Sequence, residues 1–181
     1  MAAFETLNAI NVNGNTEKKN GLTYLSWAWA WAEVKKAYPE ATYTVTDYND
    51  KPYLYDSDLG YMVATEVTIE GETLPMHLPV MDGANKAMKN HDYNYQTKRG
   101  EKTVLAATMF DINTAIMRCL VKNLAMFGLG LYIYAGEDLP EGYADEIIMQ
   151  QWVDAVKADP KVLDQIENEQ YKQQVKEKAG V

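Results

Sequence analysis

Between residues 42 and 80 apolar and polar side chains alternate with a period of two, the pattern of strands with one covered face. Tyr43 and Val45 alternate with Thr42, Thr44 and Thr46. Tyr61, Val63, Thr65, Val67 and Ile69 form one face of a longer run, and Leu74, Met76, Leu78 and Val80 one face of another. Gly60 and Gly71 mark turns, and Glu70-Gly71-Glu72 has the composition of a hairpin link. These signals predict an antiparallel meander. Pro75 and Pro79 stand on the same side of its last strand, and proline has no N–H for a ladder, so that strand belongs at an edge or is interrupted. An exposed edge is also able to pair with a neighbouring subunit.

On either side of this region the period is three and four. Ser26 can cap a helix that runs to Tyr38 and stops at Pro39, with Trp27, Trp31, Val34 and Tyr38 as one stripe. Trp29 points away from that stripe, so the helix is buried on two sides or offers an aromatic to a partner. The Trp/Ala alternation is also compatible with a strand, but the alanines and Glu33-Val-Lys-Lys-Ala favour helix. A second stripe, Met109, Ile112, Ile116, Leu120, Leu124 and Phe127, predicts a longer helix. Thr108 and Asp111 form a capping pattern that starts it near 108, leaving Thr103 to Ala107 as a short strand or an extra turn. Gly128 falls where a helix end needs positive φ, and Leu129 to Tyr134 is a β-rich run closed by Gly136 and Pro140. At 100° per residue Arg118 and Lys122 fall opposite the apolar stripe, on one face with Asp111 and Thr114. Two cations there fit either an ordinary solvated face or a site for a polyanion.

Residues 1–20 are polar and Asn-rich, and order is expected only where they touch the core. After Pro140 the composition shifts. Tyr143 to Lys157 is helical, with Ile147, Ile148, Trp152 and Val156 apolar, and Asp159-Pro160 opens a second helix. In that second helix Val162, Leu163, Ile166 and Val175 are separated by polar residues, as in a mobile appendage or a partner-binding tail. The fold class that follows is α+β, an antiparallel β-meander packed with a long cationic amphipathic helix, plus C-terminal helices. The expected domains are a core over 1–140 and a helical appendage over 141–181.

Two segments carry a family resemblance. Leu25-Ser-Trp-Ala-Trp-Ala-Trp-Ala-Glu, together with the helix ending in Phe127-Gly128 and the phrase Gly128-Leu-Gly-Leu-Tyr-Ile-Tyr-Ala-Gly-Glu-Asp-Leu-Pro, resembles phage single-strand DNA-annealing proteins of the Sak type. These are grouped with the eukaryotic annealing protein Rad-fifty-two, and the similarity covers residues 20 to 140. In the wider group a basic helix followed by Phe-Gly lines a groove for single-stranded DNA. Lys122, five residues before Phe127, fits a basic position of that pattern. Val121 and Ala125 stand where the eukaryotic relative has cations, and Arg118, one turn earlier, is the candidate to compensate. The resemblance implies a homo-oligomer, in rings or filaments.

The net charge of −9 over 181 residues speaks against a nucleic-acid partner until its distribution is considered. Residues 84–123 hold 7 basic and 3 acidic residues, while the segments before and after are acidic. In this basic island Lys86, Lys89, Lys98, Arg99 and Lys102 precede the helix of Arg118 and Lys122, with Tyr93 and Tyr95 interleaved. Cations among aromatics suit single strands, because a ring stacks on any base for about 1–3 kcal/mol. The alternative is a solvated, mobile loop whose tyrosines cap the core. These nine residues are the candidate DNA-binding set.

Other chemistries have little support. There is no Walker A sequence, Gly128-Leu-Gly lacks a dinucleotide fingerprint, and no cofactor is expected. His77 reads as a strand surface residue, and His91 lies in the basic island within reach of a phosphate. Glu137, Asp138 and Glu141 form either an acidic turn or a divalent-ion site for a nuclease. Cys119, the one cysteine, excludes an intrachain disulfide and suits core packing in a reducing compartment. The sequence does not open on a charged region followed by an apolar core, and no run nears the ~20 apolar residues of a membrane span, so a soluble protein of the bacterial host cytoplasm without a secretory signal is expected. The function expected is ATP-independent binding of single-stranded DNA and annealing of complementary strands in phage recombination, without catalysis. A single-strand-binding protein or an exonuclease is the candidate protein partner. A metal-dependent nuclease and a non-enzymatic adaptor recruiting a host factor through the acidic C-terminal region are the alternatives.

Overall fold

A computed structural model describes residues 2–19, 22–97, 100–134, 143–165 and 169–180, in two units, Met1–Tyr134 and Ala135–Val181. The first unit opens with α1 (Ala2–Asn8), a 3₁₀ turn (Asn13–Asn15) and a hairpin of β1 (Thr16–Lys19) and β2 (Leu22–Leu25). Leu7 and Val12 are fully buried, so the N-terminal segment has more regular structure than its polar composition suggests.

Next comes α2 (Trp27–Ala37), ended by Tyr38, whose N–H donates to Val34 O at 2.7 Å. Ser26 stands at its N-cap without a side-chain bond. Ala30 and Val34 face the core, and Trp29 and Trp31 fold over the two flanks and pack against it. The predicted stripe is wrong at Trp27, which is 46% exposed. As the first helical residue it projects past the packed layer.

The main sheet comprises β3 (Thr42–Val45), β4 (Leu54–Asp56), β5 (Gly60–Ile69) and β6 (Glu72–Pro79). β5 is central, with β6 along one side and β3 and β4 end to end along the other, all antiparallel. Glu70 and Gly71, with φ of 50° and 82°, make the two-residue turn whose twist matches right-handed strands. Pro75 and Pro79 both fall on β6, which pairs with β5 alone among the described strands, so their missing N–H groups interrupt no ladder. Gly60 has φ of 100°, and a Cβ there would lie 2.6 Å from Met88 O, which lets the segment after β6 close over the strand.

Part of the basic island is a hairpin rather than a loop. Tyr93–Thr97 (β7) and Gly100–Val104 (β8) pair as a hairpin, from Tyr93 opposite Val104 to Thr97 opposite Gly100. Polar residues fill most of both strands; Tyr93, Tyr95 and Val104 share the face that packs on the core, and cross-strand bonds such as Thr103 Oγ1 to Asn94 Oδ1 at 2.8 Å order the other.

α3 (Met109–Met126) then crosses β5 and β6 and packs against α2. Its capping box is formed, with Thr108 N donating to Asp111 Oδ2 at 2.8 Å and Asp111 N to Thr108 Oγ1 at 3.4 Å. Ile112, Ile116, Leu120, Leu124 and Phe127 are buried, but Met109, predicted in the same stripe, is 63% exposed because the first turn overhangs the sheet. One half of the core joins Leu120, Leu124 and Phe127 to α1, α2 and the end of β5; the other joins Ile112, Ile116 and Cys119 to Val63, Leu78 and Val104. Buried Asn123 lies close to the junction of the two, donating from Nδ2 to Thr65 O and to Leu74 O, each at 3.0 Å.

The strand expected over Leu129 to Tyr134 is instead a 3₁₀ helix (Leu131–Tyr134). Gly128 and Gly130 both take positive φ, 103° and 63°, and curl the chain so that Leu131 N and Ile133 N donate back to Gly128 O and Gly130 O. Two glycines in three residues outweigh the β-propensity of the residues between and after them.

In the second unit α4 (Tyr143–Ala158) and α5 (Glu169–Ala179) pack through Met149, Val153, Val156 and Val175. The helix expected to open at Asp159-Pro160 is a 3₁₀ turn (Pro160–Gln165), capped by Lys161 N to Asp159 Oδ1 at 3.0 Å. Val175 is fully buried and fixes α5 against α4. Ile166 and the side chains of Ile147 and Ile148 lie outside the described residues.

Candidate nucleic-acid interface

Every described cation of the basic island except Lys102 sits over a tyrosine ring. On α3 the Arg118 guanidinium lies 4.8 Å from the centroid of Tyr24, on β2, and Lys122 Nζ lies 5.3 Å from that of Tyr134. Lys86 and Lys89 lie 5.2 Å and 5.3 Å from the rings of Tyr95 and Tyr93. Tyr93 is fixed in turn by donating from its hydroxyl to Ala87 O at 2.6 Å, and burial pushes its phenol above the ordinary value. The tyrosines read from the sequence as base-stacking groups are half-buried against the core, each with a lysine on its ring. Their immediate role is to position charge.

The acidic residues of the island are engaged in its own structure. Asp92 Oδ1 accepts from Ala106 N at 2.6 Å, Asp111 caps α3, and Glu101 accepts from Asn94 and Gln96. Just before the island, Asp82 Oδ1 accepts from Ala84 N and Lys86 N, both at 2.8 Å, shaping the turn that carries Lys86.

The candidate residues fall into two groups. An open groove of about 620 Å³ runs between the β1–β2 hairpin, with Glu17 and Tyr24, and the polar side of α3, with Phe110, Asp111, Thr114 and Arg118. Met81, Asp82, Gly83, Met88, Thr103 and Leu105 complete its wall. Lys122 lies one helical turn beyond Arg118, about 6 Å along the axis. Thr103 lines the groove, so the adjacent Lys102, opposite Tyr95 in the ladder, belongs to the other face of the hairpin together with Tyr93, Lys86 and Lys89. Lys98 and Arg99 lie outside the described residues, as do Glu137, Asp138 and Glu141. Among the described residues no group of three or more His, Cys, Asp or Glu is placed to hold a metal ion. His91 Nδ1 is 2.8 Å from Asn90 Oδ1, and exposed His77 lies on β6. No described helix is long and apolar enough to cross a membrane.

Sequence reasoning missed Tyr24, Tyr134, Trp27 and Phe110 as parts of this surface. The Thr-Tyr pair within Leu22–Leu25 is a short β-signal that would have placed Tyr24 on a strand. Nothing local would have placed Arg118 above it.

No curated protein and no solved structure matches the chain significantly. The family model of the Sak single strand annealing protein matches residues 2–177, nearly the whole sequence. With a match of that extent, this chain belongs to the Sak single strand annealing protein family.

Proposed function

We propose that the protein binds single-stranded DNA without sequence preference and anneals complementary strands in phage recombination, needing no nucleotide and no metal. The observation that carries this is Arg118, held over Tyr24 in an open groove on the polar side of α3, with Lys122 one turn away. Cations fixed in this way neutralise phosphates, which removes much of the repulsion between two strands and leaves base edges free to pair. Family membership supports the same reading. Two helix cations per subunit hold a strand weakly, so the working form is a homo-oligomer in which many such contacts act in a row. Its further partner is a single-strand-binding protein or an exonuclease.

The test is annealing of two labelled complementary oligonucleotides with chelator present and nucleotide absent, beside polarisation binding to one strand across a salt series. Faster annealing and salt-sensitive binding with intact DNA are expected. No binding even at low salt would refute the reading, and strand cleavage that appears when a divalent cation replaces the chelator would replace it with a nuclease.

A further inference from the structure

Thr114 and Arg118 border two depressions, and a large exposed aromatic lines each. Phe110, 77% exposed, lines the groove described above. Trp27, 46% exposed, lines a second depression with Ser26, Asn113 and Met117, which Tyr24 and Arg118 share. Phe110, Thr114 and Arg118 follow one another at four-residue steps along α3, so ring, hydroxyl and cation form a row about 12 Å long. The row continues to Lys122.

Exposed aromatics of this size are costly to leave in water, and neither is part of a core cluster among the described residues. Flanking a cation already stacked on Tyr24, they provide what a phosphate site lacks, apolar faces for bases. We propose that Phe110 and Trp27 are base-stacking platforms on either side of Arg118, so that the site holds nucleotides by base as well as by phosphate. This rests on the single-strand reading above. It assigns the preference for single strands to these two rings, because a duplex keeps its base faces stacked on one another and cannot offer them.

The test compares a thymidine oligonucleotide with an abasic oligonucleotide of equal length and equal phosphate count, using the full chain. Wild type binds the thymidine strand more tightly. Phe110→Ala and Trp27→Ala each weaken that binding by on the order of tenfold, the scale of one lost stack. Abasic binding and the salt slope stay unchanged, and Phe110→Trp and Trp27→Phe retain the preference. Equal losses on both oligonucleotides, or no loss, would overturn the assignment while leaving the annealing reading intact. A shift to smaller assemblies in native mass spectrometry would overturn it in favour of a contact between copies of the chain. Wild type that binds neither strand would remove the annealing reading itself.

Discussion

Arg118 lies over the ring of Tyr24, and this contact joins the polar side of α3 to the β1–β2 hairpin across 94 positions of sequence. A cation on an aromatic face gains about 0.5–1 kcal/mol at an exposed site, so the pairing orients the guanidinium more than it stabilises the fold. Replacing Arg118 and Lys122 together by alanine is expected to weaken single-strand binding and to lower the slope of log K against log salt by about 1.4 per subunit engaged. Thermal unfolding should move little. An unchanged slope would take the strand off α3.

The hairpin cations provide a separate test, because Lys102 with Lys86 and Lys89 stands on the face turned away from the groove wall at Thr103. If one strand follows α3 alone, the Lys86→Ala, Lys89→Ala, Lys102→Ala triple variant keeps the wild-type slope. If the hairpin also carries DNA, the slope falls by about 2 per subunit engaged. Annealing rates in the two multiple variants then separate holding one strand from receiving the second.

Much of this arrangement was legible in the sequence. The capping box at Thr108 and Asp111, the β5–β6 turn at Glu70-Gly71 and the buried stripe from Ile112 to Phe127 depend on local chemistry, and local chemistry is what a sequence states directly. The failures depend on the tertiary setting. Trp27 and Met109 are at helix starts that overhang the packed layer, which periodicity cannot register. In the β7–β8 hairpin only Tyr93, Tyr95 and Val104 mark the covered face, too few among Asn, Gln, Lys and Glu to announce it, and Tyr134 curls over Lys122 only because Gly128 and Gly130 turn the chain back. For the candidate site the residue types were readable, but their division between the groove and the far face of the hairpin was not.

Gly128 should be among the least replaceable positions. Its φ is 103°, and an added Cβ would lie 2.5 Å from Phe4 O and 3.0 Å from Asn8 N, so alanine meets the backbone of α1 as well as an unfavourable conformation. Gly71, with φ of 82° in the β5–β6 turn, has open space around the same atom. Gly71→Ala is therefore expected to cost only the backbone strain, on the order of 1–3 kcal/mol. Gly128→Ala should cost clearly more in urea unfolding. Equal costs would mean that α1 yields freely.

Alkaline pH should unfold the protein earlier than its surface charge suggests. Burial pushes the Cys119 thiol above its ordinary value of 9.0, with the hydrogen bond from Thr65 opposing. Burial, then the neighbouring Tyr55 and Tyr53, pushes the Tyr61 phenol above 10.0. In each case the folded chain keeps a proton that the unfolded chain releases, so the unfolded state binds fewer protons and stability falls as pH rises. The contribution of Cys119 is complete below about pH 9 and is lost as pH climbs through its raised folded value. Urea midpoints should accordingly stay level up to about pH 9 and then decline. Cys119→Ala, although less stable at pH 7 for the cavity it leaves, should postpone the decline to the range where Tyr61 ionises in the unfolded chain. A decline that begins at the same pH in both proteins would show that the thiol is not its source. The same protonated, buried thiol should resist alkylation in the native protein and react once urea exposes it.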